Sequence, residues 1–203
     1  GKVPSSGTGS FWLKPQPGTL KSGDVAPVFE LADADGENKV KLADLKGKPV
    51  VLVFGIVLDR RSELGGQIEK LFKEYGKDVH FYFVYIREAH PTDGRQAPQN
   101  VKDGILIKDP RTLEERNKVA KDFVTDFKVS LPVLVDTLDD KVRNAYAGWP
   151  DRLYVVNAEG KLTYVGGPGP GGFRPTEIAP VLKKLLGGEV RELAPAPRPK
   201  KEQ

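Results

Sequence analysis

At 203 residues, with 38% hydrophobic and 30% charged side chains, the chain has room for one globular domain with a full core plus tails, and no second compact domain is expected. Its longest apolar run, residues 50–54, is a strand's length and falls far short of the ~20 residues that cross a bilayer, so no membrane partner is expected. The charge of +4 and pI near 9.1 come from Lys and Arg interleaved with Asp and Glu, with one basic cluster, Arg198–Pro199–Lys200–Lys201, in a Pro-rich tail, so nucleic acid is not an expected partner either.

The absence of cysteine excludes disulfides and thiolate metal sites in any compartment, and therefore carries no information about redox environment. No signal-peptide pattern opens the chain. Residues 1–20 have the Gly, Ser and Pro content of a linker exposed when an export signal or larger precursor is removed, so a soluble protein, cytoplasmic or exported, is the expectation.

Residues 1–22 lack periodicity and read as a flexible lead-in whose Phe11 and Trp12 can dock on the domain. The domain is expected over 23–187 and a flexible Pro-rich tail over 188–203. Residues 28–31 and 40–42 flank Asp33–Ala34–Asp35–Gly36, a hairpin turn in which Gly36 takes positive φ. The same turn resembles a calcium loop, but its glycine arrives too early for one. Residues 50–55 predict a buried strand, followed by a helix over 62–75 with Leu64, Ile68, Leu71, Phe72 and Tyr75 at helical spacing and Gly76 as its stop. Residues 79–86, rich in β-branched and aromatic side chains, predict a central strand, joined to the first by a right-handed parallel crossover.

The polar stretch 87–110 is too long for a routine connection and is the leading functional segment. Thr112–Leu113–Glu114–Glu115 has the form of a capping box and opens a helix to Phe127 with Leu113, Ala120, Phe123, Val124 and Phe127 inward. A strand at 133–136, a short helix at 139–147, paired strands at 153–157 and 162–165 and a closing helix at 176–186 complete the domain. The loop from Gly166 to Gly172 lacks the Lys-Ser/Thr ending of a phosphate loop and reads as a turn.

This order matches an α/β thioredoxin-like fold, a central mixed sheet flanked by helices, with an N-terminal β-hairpin and an inserted loop–helix segment. Three segments carry a closer resemblance. Tyr85–Ile86–Arg87–Glu88–Ala89–His90–Pro91–Thr92–Asp93–Gly94 resembles the signature loop of the iodothyronine deiodinases and their bacterial relatives. Leu131–Pro132–Val133–Leu134–Val135–Asp136–Thr137 and Ala145–Tyr146–Ala147–Gly148–Trp149–Pro150–Asp151–Arg152–Leu153–Tyr154–Val155 are similar to the same family. The resemblance covers residues 24–186. It implies a selenol or thiol nucleophile after the first long strand, assisted by the loop histidine, His90. Position by position, that nucleophile falls at Asp59. The family's following prolines become Arg60 and Arg61, and its tryptophan after Asp–Gly becomes Arg95.

A carboxylate gains from a helix N-terminus as a thiolate does, but it neither exchanges disulfides nor carries a peroxide oxygen. Asp59 therefore reads as a helix-capping carboxylate or, in the alternative, as a nucleophile or base. His90 is a loop anchor or an acid–base group, and His80, within an apolar strand, is structural. Glu88 and His90 form a carboxylate–histidine metal site with Asp59 only if loop and helix start converge, and neither a metal nor another cofactor is expected. Arg60 and Arg61 are surface ion-pair partners or an anion site beside the helix N-terminus. The resemblance to a thioredoxin fold makes Pro132 the cis-proline opposite the nucleophile, shaping a groove for extended peptide. Tyr85, Asp93, Trp149 and Arg152 are further candidates for that groove. The expected protein is thus a deiodinase-like domain without thiol chemistry that binds a small molecule or extended peptide between Asp59, His90 and Pro132. The alternatives are an oxidoreductase whose Cys or Sec has been replaced, and a metal-dependent or acid–base enzyme using Asp59, Glu88 and His90.

Overall fold

The computed structural model describes residues 15–56, 63–94, 96, 98–102, 104 and 106–187. Asp59, Arg60, Arg61, Arg95, Phe11 and Trp12 lie outside the described residues, as does the tail from 188.

Seven strands form one sheet in the order β2-β1-β5-β4-β3-β6-β7, with β1 at Glu30–Asp33, β2 at Lys39–Lys41, β3 at Val50–Gly55, β4 at His80–Tyr85, β5 at Val133–Val135, β6 at Arg152–Val156 and β7 at Leu162–Val165. Strands β3, β4 and β5 run parallel, with Gly55 beside Tyr85 and Tyr85 beside Val135. β6 is antiparallel to β3, with Arg152 beside Phe54, and β1 is antiparallel to β5. The β1–β2 turn closes as its sequence requires: Gly36 has φ +77°, and the Asp33 carboxylate accepts from the Glu37 N–H at 3.1 Å and the Asn38 amide at 2.6 Å.

All six residues of β3 are buried, which is why it is a continuous apolar run rather than an alternating one. The two-residue period sends Val51 and Val53 to one face, and Val50, Leu52 and Phe54 to the other. On the first face lie α1 (Glu63–Tyr75), α3 (Leu113–Asp126) and α5 (Ile178–Leu185), whose Ile68, Leu71, Phe123, Ile178 and Leu182 fill one core. On the second, α4 (Lys141–Tyr146) brings Val142 and Tyr146 against Phe29, Phe54 and Tyr154. Phe54 stacks on Tyr146 at 5.0 Å between ring centroids, and Tyr154 meets Tyr146 edge-on at 5.1 Å.

Two expectations shift in detail. Leu113 is 45% exposed, and the inward position one turn later is taken by Arg116, 2% exposed. The polar stretch 87–110 contains a short helix, α2 (Pro98–Lys102), and is folded back on itself: the Thr92 N–H donates to the Ile107 carbonyl at 2.7 Å, and the Asp109 N–H to Asp93 Oδ1 at 2.9 Å.

All six tyrosines of the chain sit where ionisation is opposed. Burial is the leading cause at each, holding Tyr82, Tyr85, Tyr146, Tyr154 and Tyr164 above the ordinary phenol range and pushing Tyr75 up to about 12. A phenol whose folded pKa exceeds its unfolded value of about 10 keeps its proton in the folded state while the unfolded chain loses it, so stability falls as pH rises above about 10. In a spectrophotometric titration, phenolate absorbance should stay near zero at pH 10 and then appear together with the loss of circular dichroism, not ahead of it.

Candidate functional site

The parallel strands end together, so the segments leaving Gly55, Tyr85 and Val135 gather at one edge of the sheet. The antiparallel strand β6 begins at that edge. Arg152 pairs with Phe54, so Pro150, two residues earlier, reaches the level of Ile56. The Trp149–Pro150 bond is cis.

Pro132 lies elsewhere. It precedes β5, a strand parallel to β3, and its carbonyl accepts from the Phe83 N–H at 2.9 Å, three residues and so about 10 Å below the strand ends. It is exposed and its bond to Leu131 is trans; it lines a separate shallow cleft with Asp33, Lys121 and Val124. The proline at the strand-end edge, in a cis bond just before β6, is Pro150.

The gathered edge holds charge that the sheet interior cannot. Tyr85, fully buried at the end of β4, donates its hydroxyl to Glu88 Oε1 at 2.7 Å. Burial, and then the Glu88 carboxylate, hold that phenol well above its usual range, so at neutral pH it keeps the proton it donates to Glu88. Glu88 is 6% exposed and His90 is half-buried two residues on. Arg87 turns the other way and pairs with Asp109 at 2.5 Å, while Asp93 pairs with Arg111 at 3.8 Å and accepts the Asp109 N–H, which holds its carboxyl below the usual range. Asp93 thus fastens the loop rather than facing Glu88.

Beside this pair is a buried charge network not expected from sequence. The Arg116 Nη1 donates to the carbonyls of Asp136 at 3.3 Å and Thr137 at 2.7 Å and to Asp140 Oδ1 at 3.1 Å; the other Asp140 oxygen meets Arg143 at 3.3 Å. Asp136, fully buried, accepts the N–H groups of Thr137, Val142 and Arg143, which caps α4. Burial nevertheless raises its carboxyl above the usual range. The available signal was periodicity: Arg116 stands four residues before Ala120 and seven before Phe123, the phase of the buried face.

Trp149 is half-buried against the second-face core. Gly148 lies so close to Phe54 that a Cβ would come within 2.7 Å of its ring. Arg152, 1% exposed, donates to the carbonyls of Pro17 at 3.0 Å and of Gln16, so it anchors the lead-in rather than an open groove. His80 pairs with Val50 at the far end of β4 and stacks on Tyr82. No group of three or more metal-ligating side chains converges among the described residues, which do not include Asp59. No helix among them is long and apolar enough to cross a membrane.

A mixed sheet with three parallel central strands, an antiparallel β6 entered through a cis-proline, and helices on both faces is the thioredoxin fold. Solved structures agree: a thioredoxin domain of a thiol-disulfide oxidoreductase from Bacteroides vulgatus is 22% identical with a TM-score of 0.52, covering 79% of this chain and 99% of its own. A thioredoxin family thiol:disulfide interchange protein from Chlorobium tepidum TLS is 18% identical with a TM-score of 0.53, covering 83% and 100%. Within that fold the chain belongs to the iodothyronine deiodinase family, whose model matches residues 9–186. It is 34% identical to the type I iodothyronine deiodinase of Xenopus laevis over 164 residues, 80% of this chain and 63% of that protein. It is 32% identical to the thyroxine 5-deiodinase of Sparus aurata, covering 89% of this chain and 68% of that one.

Two substitutions test the edge. Arg116→Met leaves Asp140 with one buried ion-pair partner and takes a donor from the Asp136 and Thr137 carbonyls, the latter keeping the Asp140 N–H, and should cost about 3–5 kcal/mol in denaturant unfolding. Gly148→Ala should cost about 1–3 kcal/mol by crowding Phe54, read from the urea midpoint at unchanged m-value.

Proposed function

We propose that this deiodinase-family domain binds a small molecule or extended peptide at the strand-end edge, near Asp59, Glu88 and His90, and performs no thiol or selenol redox chemistry. The observation that carries the reading is the absence of cysteine from all 203 residues, in a family whose resemblance places the nucleophile at Asp59. Disulfide exchange and peroxide reduction proceed through attack by a sulfur or selenium anion, and a carboxylate forms neither the mixed disulfide nor the sulfenic acid. What the edge retains is recognition chemistry: a buried carboxylate held by Tyr85, a half-buried imidazole and the Trp149 corner. The relatives are named for iodothyronine and thyroxine, which makes thyroxine the first ligand to try. Arg60 and Arg61, next to Asp59 in sequence, supply positive charge for an anionic ligand group.

The Tyr85–Glu88 hydrogen bond, at the end of the strand beside β3, favours one second reading, an oxidoreductase pocket whose nucleophile has been replaced. One set of measurements separates them. With thyroxine and excess dithiothreitol the protein should release no iodide, while tryptophan fluorescence reports thyroxine binding that weakens about tenfold in His90→Ala, equivalent to about 1.4 kcal/mol. Iodide release by the unaltered protein, or binding indifferent to His90, overturns the proposal. Asp59→Cys then decides the second reading: iodide release with a thiol of lowered pKa shows an inherited redox pocket, and an inert thiol shows a rebuilt one.

A further inference from the structure

The lead-in runs the length of β6 before the chain enters the sheet. The Gly23 N–H donates at 2.7 Å to the carbonyl of Leu162, which sits beside the last residue of β6, and seven residues earlier the lead-in reaches Arg152, the first. Leu20 is half-buried against the second-face core, but residues 15–17 are exposed. Two features hold them at the crossing. Gln16 and Pro17 give their carbonyls to the buried Arg152 guanidinium. Gly18, at φ +76°, passes so close that a Cβ there would stand 2.8 Å from Arg152 Nη1 and 3.3 Å from the Ala147 Cβ. Ala147 and Arg152 bracket Trp149 and the cis-bonded Pro150, the corner of the strand-end site. The hold is slight, because both acceptors are neutral carbonyls and Arg152 Nε stays buried without an acceptor, an unmet donor that offsets part of what the two bonds contribute. Few buried apolar contacts on an exposed backbone mark a segment that opens apart from global unfolding.

We propose that residues 16–20 are an autoinhibitory strap: closed, they cover the corner between Ala147 and Trp149, and a ligand occupies that corner only when the strap lifts from Arg152. Strap and ligand then compete for one surface, and each weakens the other by the same factor. The inference rests on the ligand-binding reading given to the strand-end edge.

Gly18→Val lifts the strap without altering a residue of the site, because a β-branched side chain neither adopts the positive φ nor fits beside Arg152. Trp12→Phe in both the parent and the variant leaves Trp149 as the sole tryptophan of the full chain. In Gly18→Val, trypsin should cut after the exposed Lys21 about tenfold faster, as the open population grows. Acrylamide should quench Trp149 more strongly, and its emission should move to longer wavelength. Thyroxine, measured by calorimetry, should bind about three- to tenfold more tightly. Unchanged cleavage or unchanged quenching would overturn the strap, and thyroxine affinity equal or weaker in Gly18→Val would overturn its autoinhibitory role. Failure of the ligand-binding reading shows differently, as no thyroxine binding by either protein, and it removes the autoinhibitory role whatever the quenching reports.

Discussion

The constraint on which the rest of this structure depends is the burial of β3, and of the later half of β4, between two layers. A strand covered on both faces offers no place for a charge along its length, because an ionised side chain there loses its water and gains no partner. Polar groups are therefore displaced to where the strands stop. In this sheet the three parallel strands stop together, and the displaced groups collect at one edge, from Glu88 and Asp136 to the inserted helix that carries Arg116. The same constraint places Arg152 in the first position of β6, where its guanidinium can still reach carbonyls outside the sheet.

At that edge the charges fix geometry more than they add stability. Arg116 joins α3, the turn after β5 and the start of α4 through one guanidinium, and Asp136 fixes the first turn of α4 through three N–H bonds. Exchange of such a network for apolar groups of similar volume is often neutral in free energy, but the network specifies a single relative placement of three elements. Tyr85 ends the strand that this network borders, its carbonyl accepting the Asp136 N–H, and Glu88 follows three residues on, so the site is positioned by groups outside it.

Much of the fold was legible because burial period and turn chemistry agree locally. The hairpin at Gly36, the stop at Gly76 and the Thr112 cap all stand where side-chain chemistry puts them. Leu113 was misread because a single apolar residue at a helix start does not fix the phase of the buried face, whereas the later Ala120 and Phe123 do. Pro132 and Pro150 each precede a strand, and local sequence does not distinguish them. What separates them is strand direction: β5 starts at the far end of the sheet and β6 at the near end, a property of topology that no short window carries. The Arg116 network was illegible for a related reason, since its members come from 116, 136, 140 and 143 and meet only once the crossover is made.

Arg152 also redraws the border of the domain. Judged by composition, the segment before Gly23 is linker. Judged by hydrogen bonding, Gln16 and Pro17 belong to the domain, because their carbonyls accept from a guanidinium that is itself buried. The edge of this folding unit is thus set by a side chain some 135 positions away in sequence rather than by the local content of glycine and proline. A chain cut anywhere between residues 17 and 23 would retain every strand and helix and lose both of the carbonyls that receive the Arg152 guanidinium.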